Sequence, residues 1–115
     1  MTAAITGTAT GAVALFAPNA GVAVVWSGTV NGEIAASYAS VNGLTTLEMT
    51  AGGKLITPLV TKLPLILQKP IWQVTSSIYV LNARSVQIFV DKIPNFSSIY
   101  YKIEYPILRW RGLVP

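Results

Sequence analysis

Few side chains of this sequence could do chemistry. Histidine and cysteine are absent, which removes most general-base, zinc and thiol chemistry. The acids are Glu33, Glu48, Asp91 and Glu104. Glu33 and Glu48 could serve as the carboxyl pair of a glycosidase, which needs two carboxyl groups about 5 to 10 Å apart. Nothing in the sequence places them at that distance, and two acids on the polar face of a sheet are more often solvated.

The serines have no histidine to activate them. Ser76-Ser77 and Ser97-Ser98 could act only through a lysine, and Lys92 and Lys102 are the nearest along the chain to the second pair. Hydroxyl groups of strands and turns are the simpler interpretation. We therefore expect no enzyme, no cofactor and no metal.

A glycine-rich segment resembles the end of a phosphate-binding loop. Gly52-Gly53-Lys54 has the glycine and lysine of that motif. Glu48, however, stands where the first glycine is needed, and Leu55 stands where Ser or Thr would hold magnesium. The segment is predicted to be a turn.

Aromatic side chains could form a ligand platform, because their faces stack on sugar rings and on bases. The predicted strand register puts Trp26, Ser37 and Glu48 side by side on the polar face of a sheet. We take these three residues as the candidate ligand platform. Further aromatic residues that could contribute are Trp72, Trp110, Tyr100 and Tyr101.

The best candidate interface lies near the end of the sequence. Arg109-Trp110-Arg111 combines two of the residue types that are enriched at the energetic centres of interfaces. Leu113 and Phe16 are added as apolar contacts of the tail and the arm. These residues are expected to contact neighbouring subunits.

Charge is scarce and unevenly distributed. Charged residues make up 10% of the chain, where about 25% is usual, so the surface is poorly protected from association. Residues 1–53 hold two acids and no base, whereas residues 54–115 hold all eight bases. A basic patch of Lys54, Lys62, Lys69 and Arg84 could bind nucleic acid. Bases spaced one per strand more simply keep strand edges soluble, so we do not expect a nucleic-acid partner.

Turn signals predict strands in the first half of the chain. Asn31-Gly32 and Asn42-Gly43 separate the runs Val22–Val30, Glu33–Val41 and Leu44–Thr50. Asn-Gly favours the type I′ turn of hairpins, so a three-stranded meander is predicted. The alanines of the middle run leave a short helix open as the alternative.

The second half also carries strand-like runs. Ile71–Leu81, Arg84–Val90 and Ser98–Tyr105 are rich in β-branched and aromatic residues. Three prolines at six-residue spacing predict edge strand and loop over Thr57–Pro70. The fold class is therefore predicted as all-β, one antiparallel β-sandwich, jelly roll or small barrel over residues 1–115. Residues 1–20 would form an extended arm and 106–115 a tail.

The uncharged, Gly-, Ala- and Thr-rich start Thr2–Gly21, the Asn-Gly hairpins and the absence of Cys and His resemble the small β-sandwich virion proteins of tailed phages, notably capsid decoration or cement proteins. The resemblance implies a non-enzymatic assembly protein of the virion that binds capsid or other virion proteins. A homo-oligomer, with a trimer favoured, and no membrane partner are expected. The alternatives are a carbohydrate- or receptor-binding β-module and, third, a basic nucleic-acid-binding domain.

Overall fold

The structure, a computed structural model, describes residues 14–115. After the helical residues 14–16, two strands and four α-helices follow each other along this part of the chain, with a π-helical turn before the last helix. In chain order they are β1 (Val22–Trp26), α1 (Thr29–Val41), α2 (Ala51–Val60), α3 (Leu65–Leu81), β2 (Ser85–Phe89), the π-helical turn (Tyr100–Glu104) and α4 (Tyr105–Trp110). Two 3-10 turns lie at Asn19–Gly21 and Leu47–Met49.

The two strands form a small parallel sheet. Val22 pairs with Ser85 and Trp26 pairs with Phe89 at the two ends of the ladder. On the other edge of β1, Thr46 forms an isolated parallel bridge with Val24. A parallel pair needs a crossover connection, and α1, α2 and α3 provide it. β1 therefore has a hydrogen-bonded neighbour on each edge, β2 on one and Thr46 on the other. Its three central residues are buried.

Helices cover both faces of the sheet. On one face, Ala35 and Ala39 of α1 pack against Val24. On the other face, α3 and α4 share a core with β1 that includes Val25, Tyr79 and Leu108. The arrangement is a three-layer α/β/α fold around a minimal sheet.

The all-β prediction is wrong. Of the runs predicted as strands, Glu33–Val41 lies in α1, Ile71–Leu81 in α3, and Ser98–Tyr105 forms the π-helical turn with its flanks. Only the runs beginning at Val22 and Arg84 contain strands, and these two are parallel. The buried residues of α3 explain the error: Thr75, Ser76, Tyr79 and Val80 recur at helical spacing, and tertiary burial of that face outweighs the strand preference of its β-branched residues.

The Asn-Gly pairs do not make hairpins. Asn31-Gly32 lies inside α1, and Asn42 caps the end of that helix. Gly43 follows with a φ of 66°, the left-handed conformation that ends many helices. The alternative of a helix for the middle run is thus the one that the structure supports.

The predicted arm and tail can be compared with the structure only in part. Residues 1–13 of the arm lie outside the described residues, whereas 14–16 are helical. The tail begins within α4 and packs on the core of its own chain, where Leu108 and Val114 are buried. Arg111 donates hydrogen bonds to the carbonyl oxygens of Val80 and Ala83 at the end of α3. Its cation therefore stabilises the negative end of that helix.

Replacing Tyr79 with phenylalanine tests how the sheet is fixed to α3. The fully buried Tyr79 hydroxyl accepts a hydrogen bond from the amide of Val24 at 2.7 Å and donates one to the carbonyl of Thr45 at 2.6 Å. Tyr79→Phe leaves both backbone groups without that partner, so the free energy of unfolding is expected to fall by about 2 kcal/mol in urea titrations. Tyr105→Phe is the control, because its hydroxyl bonds the carbonyl of Pro115 at an exposed site. Equal effects of the two substitutions would contradict the account.

Candidate functional site

A cavity of about 310 Å³ opens at the carboxyl end of β1. Its walls come from the end of β1, the 3-10 turn at Leu47–Met49, helix α3 and the π-helical turn. Ligands of open α/β sheets commonly bind outside the carboxyl ends of strands, where the loops diverge. The side chains that give the cavity its chemistry are Trp26, Glu48, Trp72, Ser76, Tyr100 and Glu104.

Glycines allow α1 to start beside Trp26. Gly28 turns the chain from β1 into α1 with a φ of 95°, a conformation that other residues rarely adopt. Gly32 lies against the indole, and a Cβ there would be 3.1 Å from the Trp26 ring. The missing side chain at Gly32 therefore leaves room for the indole between α1 and the cavity.

The position of Glu48 is fixed by the start of α2. Thr50 caps that helix: its hydroxyl accepts a hydrogen bond from the Gly53 amide at 3.0 Å and donates one to the Leu47 carbonyl at 2.6 Å. Gly53 packs directly on the turn, where a Cβ would overlap the Leu47 carbonyl oxygen and lie 2.8 Å from the Cα of Glu48. Close backbone packing thus holds Glu48 at the cavity.

One face of α3 supplies two more groups. Trp72 and Ser76 are four residues apart, so they lie one turn apart on the same side of the helix. The Ser76 hydroxyl donates a hydrogen bond of 2.6 Å to Oε2 of Glu104, and both residues are buried. Tyr100 and Glu104, the first and last residues of the π-helical turn, are both buried at the cavity wall. Such turns are frequent at functional sites, since they change the direction of side chains within a helix.

Glu104 is an acid with an altered proton affinity. Burial raises its pKa, the Ser76 hydrogen bond lowers it in part, and the nearby Glu48 raises it slightly, so that the pKa lies at about 7. Burial also raises the pKa of Tyr100 to about 12. Near neutral pH, Glu104 can therefore hold or release a proton. A buried carboxyl group with a pKa near the working pH is a recurrent property of catalytic sites.

The cavity is anionic and aromatic. Two carboxyl groups line it, and none of the described residues of its wall is Lys or Arg. Lys92 and Lys102, the possible partners of a serine nucleophile, are exposed and absent from this wall, although Ser98 belongs to it. The arrangement does not support a serine and lysine mechanism. It suits a ligand that carries, or develops, positive charge.

The predicted ligand platform is brought together only in part. Trp26 and Glu48 both line the cavity, but Ser37 lies on the exposed side of α1, in a separate shallow groove with Glu33. The carboxyl pair considered from the sequence is therefore not assembled, and Glu48 shares the cavity with Glu104 instead. Of the other aromatic candidates, Trp72 and Tyr100 line the cavity, while Trp110 is 81% exposed elsewhere.

The candidate interface residues divide into two groups. Phe16 and Leu113 pack against the core, and Arg111 bonds carbonyl groups of its own chain, so these three make contacts within the fold. Arg109 and Trp110 are exposed at the end of α4. The residues of the predicted basic patch are also exposed, namely Lys54, Lys62, Lys69 and Arg84.

Comparison with protein-family models, with curated protein sequences and with solved structures found no match. Within residues 14–115, no helix is long and apolar enough to cross a membrane.

Proposed function

We propose that the protein is an enzyme that cleaves the N-glycosidic bond between a ribose and an aromatic base that carries a positive charge. The observation that carries this proposal is the buried Ser76–Glu104 pair, which shares one cavity with Glu48 and two tryptophans. Pyridinium nucleosides are the substrate class with these properties.

Two carboxyl groups suit chemistry at the anomeric carbon of a sugar. Cleavage of a glycosidic bond passes through a transition state in which the sugar ring develops oxocarbenium character, and a nearby carboxylate stabilises that charge. Glu104 is the group for this role, because its position is fixed by Ser76 and by burial. Glu48, which is half-buried, would contact the ribose hydroxyls.

Size and shape favour a nucleoside over an oligosaccharide. A cavity of about 310 Å³ lies at the small end of ligand sites and has room for one base and one ribose. Trp26, Trp72 and Tyr100 supply flat surfaces on which an aromatic base can stack. A polymer of sugars would need an open cleft instead.

Charge selects a cationic base. The aromatic faces and the two carboxyl groups attract a positively charged ring. No lysine or arginine on the described cavity wall opposes that attraction. The bound cation lowers the pKa of Glu104, so the carboxylate form is the one that faces the ribose. The bond from C1′ to the ring nitrogen breaks with its electron pair on nitrogen, and the base leaves neutral. Water then adds its oxygen to C1′ and releases a proton, so no acid is needed to protonate the base.

A substrate panel tests the proposal. Purified protein is incubated with nicotinamide riboside, nicotinamide mononucleotide, oxidised nicotinamide adenine dinucleotide, adenosine, uridine and nitrophenyl glycosides, and free base or nitrophenol is measured by chromatography. Release of nicotinamide, at rates at least about tenfold above those for neutral nucleosides, is expected from the charge of the cavity. Cleavage of glycosides alone would contradict the proposal. Quenching of tryptophan fluorescence without turnover would make the cavity a binding site only.

The sequence-based expectation of a virion assembly protein remains a prediction. The resemblance to phage virion proteins depended in part on hairpins and on a β-sandwich, and residues 14–115 contain neither. The proposal of an enzyme replaces it here because the cavity carries a specific chemical argument.

A further inference from the structure

The corner between α2 and α3 exposes a continuous apolar segment. Residues 61–67 are all exposed, and within them Leu65 is 81% and Ile66 80% accessible to solvent. Leu63 and Leu67 flank these two residues and are also exposed. Isolated exposed leucines are ordinary, but consecutive exposed apolar residues mark a surface that contacts something apolar.

Further exposed apolar side chains lie on the two helices that flank the corner. Leu55 and Leu59 of α2, four residues apart, are 62% and 61% exposed. Val74 of α3, one heptad after Leu67, is 62% exposed. All of these side chains remain exposed within the described residues. We refer to Leu55, Leu59, Leu63, Leu65, Ile66, Leu67 and Val74 as the α2–α3 surface.

The charge around this surface has one sign. Lys54, Lys62 and Lys69 are exposed on α2, at the corner and on α3, and the chain has no acid from residue 49 to residue 90. A second copy docked through the same surface would bring lysines against lysines, which disfavours self-association. Complementarity therefore points to an anionic occupant.

We propose that the α2–α3 surface binds the face of an anionic lipid membrane, with Leu65 and Ile66 inserted among the acyl chains and the three lysines at the phosphates. Amphipathic segments that lie in the membrane interface combine aliphatic side chains with lysines in this way. Protein interfaces are instead enriched in aromatic residues and arginine and depleted in lysine, and this surface has neither enriched type. The proposal does not depend on the function of the cavity.

Vesicle co-sedimentation of the full chain tests this proposal. Binding is expected to vesicles that contain phosphatidylglycerol, to weaken as salt rises, and to be much weaker with phosphatidylcholine alone. Leu65→Ser with Ile66→Ser should lower the affinity at least about tenfold, and Lys62→Gln or Lys69→Gln about fivefold each. Val41→Ser is the matched control, since Val41 is an 85% exposed aliphatic residue on α1. Circular dichroism checks that each variant folds.

Several outcomes would overturn the proposal. Absence of binding to anionic vesicles is one, and equal loss in the Val41→Ser control is another. Equal affinity for neutral and anionic vesicles would remove the role of the lysines. Binding to soluble polyglutamate but not to vesicles would identify an acidic protein, not a lipid, as the partner.

Discussion

Replacing Glu104 with glutamine is expected to abolish cleavage of pyridinium nucleosides. Glutamine keeps the size of the side chain and an oxygen that can accept the Ser76 hydrogen bond, but it cannot carry the negative charge that stabilises the ribosyl cation. We expect kcat to fall about a thousandfold or more, measured as nicotinamide release. Glu33→Gln, on the exposed side of α1, is the control and should leave kcat unchanged.

The same substitution is expected to stabilise the fold at alkaline pH. Burial raises the Glu104 pKa from 4.5 to about 7, so between these values the native state keeps a proton that the unfolded chain has released. The free energy of unfolding of the wild type therefore falls as pH rises through this window, by about 3 kcal/mol in total at 1.36 kcal/mol per unit. Glu104→Gln removes this dependence.

Urea titrations at pH 4 and pH 8 measure the effect. The variant and the wild type should be equally stable at pH 4, and the variant should be the more stable at pH 8. Activity and stability would then change in opposite directions, as expected for a buried group retained for catalysis. A variant that is active, or less stable than the wild type at pH 8, would show that Glu104 is structural.

The second large effect is expected at Gly53. Gly53→Ala places a methyl group against the backbone of Leu47 and Glu48, which cannot move aside as a flexible side chain could. The 3-10 turn must shift, so we expect the free energy of unfolding to fall by about 3 kcal/mol or more. Catalysis should fall as well in whatever fraction remains folded, because Glu48 leaves the cavity.

Gly43→Ala provides the comparison for Gly53→Ala. A Cβ at Gly43 meets nothing within 4 Å, although its φ of 66° disfavours alanine. It should lower the free energy of unfolding by only about 1 kcal/mol and leave kcat unchanged. Urea titration and nicotinamide release measure both variants. Similar values for the two would mean that the contact between Gly53 and the Glu48 turn is unimportant.

The positions of the two strands were predictable from the sequence, but the helices were not. Val22–Trp26 and Ser85–Phe89 are short apolar runs bounded by turn residues, and both lie within predicted strands. α3 misleads because its β-branched and aromatic residues favour strands locally, and only its tertiary packing shows which side is buried. Asn42-Gly43 is equally suited to a hairpin turn and to the end of a helix, so the pair alone does not distinguish the two.

The proximity of Trp26 and Glu48 in the candidate site was predicted correctly, but from an incorrect strand register. Trp26 and Glu48 were placed together by an assumed strand register, whereas they meet because the 3-10 turn lies at the carboxyl end of β1. Glu104 was missed because Ser98–Tyr105 alternates like a strand, which puts Glu104 on the solvent side. Its hydrogen bond with Ser76 spans 28 residues and depends on the packing of α3 against the π-helical turn. No local pattern reveals that contact.

The most direct test of the central claim is to run the reaction in water enriched in oxygen-18 and to weigh both products by mass spectrometry. The account predicts that the wild type places one heavy oxygen on the ribosyl product and none on the released base, and that Glu104→Gln forms neither product. Label at a phosphorus atom when nicotinamide adenine dinucleotide is the substrate, or no turnover of any pyridinium nucleoside, would contradict cleavage at the anomeric carbon and with it the proposed function of the cavity.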